Sequence, residues 1–274
     1  MKSIINIKSA LVLAGVLLIA SCQSGNAPGS ATKSSKDSIN MGEVSKDVKD
    51  VVYPLPTPFE ITKMLSDISA KYNASILNPA DKADKYFKEK SKAVNLGVYG
   101  ADLAYAATYD QKQDVEVYSK ALKTLIDQLG VNINYSEMLS DKFKEKVNNK
   151  DTLIKVVTGT FFDTYKYLSE KSNPDLALMM VTGMWVELMY IATHISEDSY
   201  HYTGLVKIIA AQKGSYEKLL ELLDSRKEDA DIKSLKEKLD VLKPVYDKVE
   251  SGLQEKDYLL ILKTIQSVRK SVVS

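Results

Sequence analysis

The chain has 274 residues, 45% hydrophobic and 27% charged, and its 37 basic residues nearly balance 36 acidic ones for a formal charge of +1. Interspersed, balanced charge excludes an electrostatic case for nucleic-acid binding and for a polybasic patch on anionic lipid. A single cysteine excludes an intrachain disulfide, so stability must come from an apolar core, which a chain of this length can build.

Residues 1–21 read as a signal peptide. Lys2 and Lys8 form its positive start, and Ala10 to Ala20 is an apolar run too short to span a bilayer comfortably. The sequence Ile19-Ala20-Ser21-Cys22 resembles the lipobox of bacterial lipoproteins, with apolar core, small residues and cysteine in the required order. That resemblance implies cleavage before Cys22, a diacylglycerol on its thiol and an acyl chain such as palmitate on the new amino terminus, with no other cofactor. The mature chain then holds 35 basic against 36 acidic residues, a formal charge of −1. Residues 22–56, rich in Ser, Gly, Asn, Lys and Asp, have the composition of a flexible tether. Such a coil has a root-mean-square span of roughly 30 Å and reaches about 100 Å when stretched.

From residue 57 to 274 the apolar periodicity is helical throughout, and no stretch sustains strand-like alternation. Thr57-Pro58-Phe59-Glu60 combines an N-cap, a first-turn proline and a capping-box acid, so a first helix is predicted from Pro58 to Tyr72. Asn78-Pro79 opens a helical region to about Tyr109, with a bend expected at Gly97 or Gly100. Further helices are predicted over 113–129, stopped by Gly130, over 135–147, and over 151–171. Asn173-Pro174 opens the most apolar helix, reaching about His194, and this reads as a buried core helix because Glu187 lies within it and no basic anchors flank it. Helices over 200–223, interrupted near Gly214, over 232–249, broken by Pro244, and over 256–272 complete the domain. About nine helices make an all-α bundle or a short array of helical hairpins, with two pseudo-repeated halves as a further option.

The halves are suggested by an echo. Asp102-Leu103-Ala104-Tyr105-Ala106-Ala107-Thr108 aligns without gaps on Glu187-Leu188-Met189-Tyr190-Ile191-Ala192-Thr193, 85 residues later. An acid in an apolar helix is costly unless paired or hydrogen-bonded. If the two helices pack together, Asp102, Tyr105, Glu187, Tyr190 and His194 would surround one polar pocket; otherwise each acid is a satisfied core residue that fixes helix register. Gly97, Gly100 and Gly183 would let backbones approach closely.

Other chemistry lacks a pattern. His194 and His201 are the only histidines, there is no His-Glu-x-x-His run, and Glu187 and His194 lie two turns apart, roughly 10 Å along a helix, so no metal site is expected. No nucleophile elbow or phosphate loop occurs.

With its lipobox, its tether, and the segments Leu96-Gly97-Val98-Tyr99-Gly100-Ala101-Asp102-Leu103 and Gly183-Met184-Trp185-Val186-Glu187-Leu188, the chain resembles a family of uncharacterised all-helical lipoproteins from Bacteroidota-type bacteria. The resemblance implies location rather than activity. Gln23-Ser24-Gly25-Asn26 lacks the acidic stretch that in this group accompanies surface export, so the inner leaflet of the outer membrane, facing the periplasm, is expected. The functional expectation is a membrane-anchored scaffold or binding module with no catalysis. Its partners would be the bilayer, through Cys22, and an envelope protein. A small-ligand-binding protein with a pocket around Asp102 and Glu187, and an acid–base glycan hydrolase using those carboxyls, stand as alternatives.

Overall fold

The computed structural model of the protein describes residues 57–133, 149–196 and 199–274. Among them are ten α-helices and no strand. We number them α1 (Pro58–Asp67), α2 (Glu89–Thr108), α3 (Lys112–Gln128), α4 (Lys150–Tyr167), α5 (Pro174–His194), α6 (Thr203–Ala210), α7 (Lys213–Asp224), α8 (Ala230–Asp240), α9 (Lys243–Tyr246) and α10 (Glu255–Val272). The expected signal peptide, the expected tether and the helix expected over 135–147 lie outside the described residues.

Local sequence explains most of the starts. The Thr57 N–H donates to Glu60 Oε2 at 3.0 Å, as the capping-box run predicts, and Asn173 Oδ1 accepts from the Asp175 N–H at 2.9 Å ahead of Pro174. Pro244 stands in the first turn of α9, where its missing N–H costs nothing. The ends are less transparent. Helices α1, α2 and α3 all close with the same paired bonds, from residues one and two beyond the cap back to the last turn: Ser69 to Ser66 and Ala70 to Leu65, Asp110 to Ala107 and Gln111 to Ala106, Gly130 to Asp127 and Val131 to Ile126. The turning residue has φ of 60° at Ser69, 55° at Asp110 and 65° at Gly130. Only the last is glycine, which is why the sequence marks the end of α3 and overruns α1 to Tyr72. The region after Asn78-Pro79 also departs from expectation. It is a 3₁₀ helix, Ala80–Lys85, then a three-residue link, and only from Glu89 an α-helix that continues through both Gly97 and Gly100.

Two helices form the centre. Every residue of α2 from Ala93 to Thr108 is buried, and so is every residue of α5 from Leu176 to Thr193 except Tyr190. A helix that is buried on all sides has no polar face to display, which explains their continuous apolar and small residues. Helix α5 is the one described helix long and apolar enough to cross a membrane, but 94% of its most apolar window is covered by the rest of the bundle.

The pair meets backbone to backbone. A Cβ on Gly97 would fall 1.8 Å from Met180 O and 2.7 Å from Met184 N, and one on Gly183 would fall 1.9 Å from Val94 O. Each glycine lies against the carbonyl three residues before the other, and Asp102 and Glu187 meet five and four residues after them, so the helices run parallel. Parallel neighbours require a long return path, supplied here by α3, α4 and the residues between them. Around the pair, α3 and α4 pack on α2, α1 bridges α2, α5 and α6, and α10 lies along α5 while touching α2 and α8.

Gly100 differs from the other two glycines, because a Cβ there would meet Leu122 Cδ1 and Phe161 Cδ2 at an ordinary 3.8 Å. It borders a small apolar gap lined also by Leu96, Val157 and Met180. Gly97→Ala and Gly183→Ala are therefore expected to lower stability by about 3 kcal/mol or more by forcing the pair apart. Gly100→Ala should raise it by about 1 kcal/mol through helix propensity and filling of the gap. Urea-unfolding midpoints of the three variants check this ordering.

Candidate functional site

Five residues beyond Gly97 stands Asp102, and four beyond Gly183 stands Glu187. Because the glycines bring α2 and α5 into backbone contact, the two acids are carried into hydrogen-bonding reach of one another. Both are fully buried, at 0% exposure. Two carboxylates side by side in a dry core repel, and neither alone is stable there without compensation.

The compensation comes from α10. Arg269 grips Glu187 with both arms of its guanidinium, Nε donating to Oε2 and Nη2 to Oε1, each at 2.7 Å. Nη2 also donates to Ile76 O at 3.0 Å, and the guanidinium carbon lies 4.0 Å from the centre of the Tyr190 ring. On Tyr190, the His194 ring stacks at 3.9 Å between centroids. His194 Nδ1 is 3.0 Å from Tyr190 O and 2.9 Å from Thr193 Oγ1, and the tautomer with its proton on Nδ1 bonds to that carbonyl. Burial, with the nearby Arg269 cation, holds His194 below its ordinary value despite that bond.

One cation serves two acids, so the proton inventory is decided by geometry. Burial pushes Asp102 well above the carboxylate range, and the charge on Glu187 pushes it further, with Arg269 opposing. Burial also raises Glu187, but the bidentate arginine and the hydrogen bond from Asp102 oppose that rise. Asp102 is accordingly the neutral acid and Glu187 the carboxylate. Asp102 Oδ2 accepts from the Asn78 N–H at 3.2 Å, whereas Oδ1 has no hydrogen-bond partner as an acceptor. Oδ1 is the oxygen left to hold the proton. The group is thus a chain, Asp102 to Glu187 to Arg269, with zero net charge.

The segment 76–79 covers this chain. Besides Ile76 O and Asn78 N, Pro79 O accepts from the Tyr99 hydroxyl at 2.9 Å, and Asn78 Nδ2 donates to the Tyr86 hydroxyl at 3.1 Å. The end of α10 is fastened by Asn95 Nδ2, which donates to Val272 O at 2.7 Å.

Of the five residues singled out in the sequence, Asp102, Glu187, Tyr190 and His194 are strung together through Arg269. Tyr105 stands elsewhere. Its hydroxyl accepts from the Asn73 N–H at 2.9 Å, and its ring lies 4.8 Å from Tyr72 and 4.9 Å from Tyr109, so it fixes the chain after α1. The echo persists in detail: Thr108 Oγ1 donates to Ala104 O and Thr193 Oγ1 to Met189 O, both at 2.8 Å, and the carbonyls of Thr108 and Thr193 accept from Lys150 Nζ at 2.7 Å and the Tyr258 hydroxyl at 3.0 Å.

Arg269 itself escaped the sequence reading. A signal existed: the chain has only two arginines among its 37 basic residues, and Arg269 sits at the end of an apolar-periodic helix. A planar, permanently charged, bidentate donor is the cation suited to a buried carboxylate, where lysine is not. Among the described residues no three His, Cys, Asp or Glu side chains cluster as metal ligands would. In comparisons with protein-family models, with curated proteins and with solved structures, nothing matches the chain.

Glu187→Gln leaves the Arg269 charge buried without its counter-ion and is expected to cost about 3–5 kcal/mol in unfolding free energy. The double change of Glu187 and Arg269 to methionine should recover much of that loss, and a denaturant-unfolding cycle reads both.

Asp102 makes stability depend on pH with a definite sign. Its folded value is raised, so above the ordinary carboxylate range the unfolded chain releases a proton that the folded chain keeps. The stability this group contributes is therefore strongest below the unfolded value and weakens as pH rises toward the folded one, by about 1.4 kcal/mol per pH unit in that interval. Asp102→Asn keeps the donor toward Glu187 without the titration. Its melting temperature should match or exceed that of the native chain, by a margin that widens as pH rises above the ordinary carboxylate range.

Proposed function

We propose that this protein is a lipid-anchored helical module of the bacterial cell envelope, held at the periplasmic face of the outer membrane, that works as a scaffold or binding module rather than by catalysis. The observation that carries the reading is the order Ile19-Ala20-Ser21-Cys22 behind an apolar run, with Cys22 the only cysteine in the chain. A tether-like composition over 22–56 and the capped start at Thr57 support it, since an anchored domain needs a lead between its lipid and its first helix.

The carboxyl pair supports the non-catalytic half of the reading. Glycoside hydrolysis needs two carboxyls set on opposite sides of a sugar, about 5–10 Å apart and open to solvent. Asp102 and Glu187 instead lie together at 0% exposure, and Arg269 donates to Glu187 and Ile76 O. A ligand at these acids would have to displace an internal ion pair. Their work is to hold α2, α5 and α10 in register, leaving partner recognition to the outer surface.

The test is chemical. The intact mass of the mature chain purified from a diderm host should correspond to a start at Cys22 with diacylglyceryl and N-acyl additions, and labelled palmitate should be incorporated. Cys22→Ala should incorporate none. A mature chain with an unmodified Cys22 thiol would overturn the reading.

A further inference from the structure

One large apolar side chain stands clear of the bundle. Phe87 is 85% exposed, whereas the next most exposed large apolar residue among those described, Val241, is 49% exposed. Phe87 occupies the middle of the three-residue link between the 3₁₀ helix Ala80–Lys85 and α2. Its neighbour Tyr86 takes the inward position: Tyr86 is buried, bonded through its hydroxyl to Asn78 Nδ2 at 3.1 Å, and its ring lies 6.4 Å from that of Tyr99. With the link pinned by Tyr86, successive side chains point to opposite sides and Phe87 is presented outward from a fixed base. A phenyl ring in water forgoes the transfer free energy that burial would return, so an apolar phase within reach would take it up at a gain.

The neighbouring charges indicate which phase. Lys82, Lys85, Lys88 and Lys92 lie on the same segment. Lys85 is 3.7 Å from Asp81, and Lys90 is bonded to Asp229 and Asp231, but Lys82, Lys88 and Lys92 have no carboxylate within ion-pair range among the described residues. Asp84 and Glu89 are also exposed here, so the segment has no strong basic field. The lysines act singly, each able to lay its apolar stem beside the ring and carry its ammonium to a phosphate. An aromatic ring flanked by snorkelling lysines is the side-chain set of a membrane–water interface. For a chain anchored through Cys22, the bilayer is moreover the apolar phase always within reach, at the effective concentration that a flexible tether imposes.

We propose that Phe87, with Lys82, Lys85 and Lys88, forms a second membrane contact. The ring inserts at headgroup level in the bilayer that carries the Cys22 anchor, and so sets which face of the bundle is turned toward free solution. This rests on the anchored-lipoprotein reading.

Trp185, the only tryptophan, is fully buried, so Phe87→Trp adds an exposed reporter against a silent background. The full mature lipidated chain carrying Phe87→Trp is reconstituted into vesicles of phosphatidylethanolamine and phosphatidylglycerol with brominated acyl chains, and flotation is scored alongside fluorescence. The expected result is a blue shift and quenching of the new indole, both reduced by Lys85→Glu with Lys88→Glu, while the native chain stays unquenched. An unquenched indole in floated vesicles, as a ring reserved for a protein partner would give, overturns the proposal. Failure to float would instead count against the anchor. In that case excess vesicles added to the mature Cys22→Ala chain with Phe87→Trp still decide the contact: quenching upholds it and none overturns it.

Discussion

The ion pair between Arg269 and Glu187 is the interaction on which the arrangement of the core depends, and it arises from a prior constraint of shape. Gly97 and Gly183 let α2 and α5 touch through their backbones. At that separation nothing can stand between the acids one turn further on, and Asp102 and Glu187 are pressed together in a region without water. A core of this kind tolerates one negative charge if it also holds one positive charge, and the second acid must keep its proton. Helix α10 is thereby committed to lie where Arg269 reaches Glu187 in a two-armed geometry, and the segment 76–79 is committed to lie where Ile76 O and Asn78 N can satisfy the remaining donor and acceptor. Four separate parts of the chain are thus positioned by a single electrically neutral unit.

Such a unit gives specificity more than net stability. Leucine and methionine of similar volume would fill the same space at comparable free energy, but they would accept sliding of α10 by a turn, which a bidentate arginine does not. The surrounding tyrosines extend the same logic. Tyr99 fastens Pro79, Tyr105 fastens Asn73, and Tyr258 fastens the carbonyl of Thr193, each by a hydroxyl that joins one element to the backbone of another. An all-helical fold has no sheet ladder to fix register between its elements, so side-chain bonds to backbone groups take over that role.

How much of this is legible in the sequence varies by residue. The buried character of α5 is plain from the seventeen-residue run Leu176 to Ala192, broken only by Thr182 and one acid, and the partnership of α2 with α5 is suggested by the echo of Asp102 in Glu187. The helix end at Ser69 is not legible, since a serine there gives no sign of the positive φ that closes the helix, whereas α2 ends where the sequence puts it, at about Tyr109. Tyr105 is misgrouped because helical spacing places it one turn from Asp102, while the loop that bonds it arrives from residues 71–73. Arg269 is overlooked because periodicity alone cannot tell a charge at a helix boundary that faces solvent from one drawn into the core.

The sequence by itself determined the local matters: helical periodicity, the capped starts at Thr57 and Asn173, and the glycines that permit close approach. Each of these is decided within a few residues along the chain. Tertiary structure alone decided which acid keeps its proton, which cation answers the other, and that Tyr86 turns inward while Phe87 turns out. Those outcomes depend on distances between groups 80 or more residues apart, as with Glu187 and Arg269, or on which neighbour fills the inner position. Electrostatics in a dry core is set by such distances, and a one-dimensional pattern carries none of them.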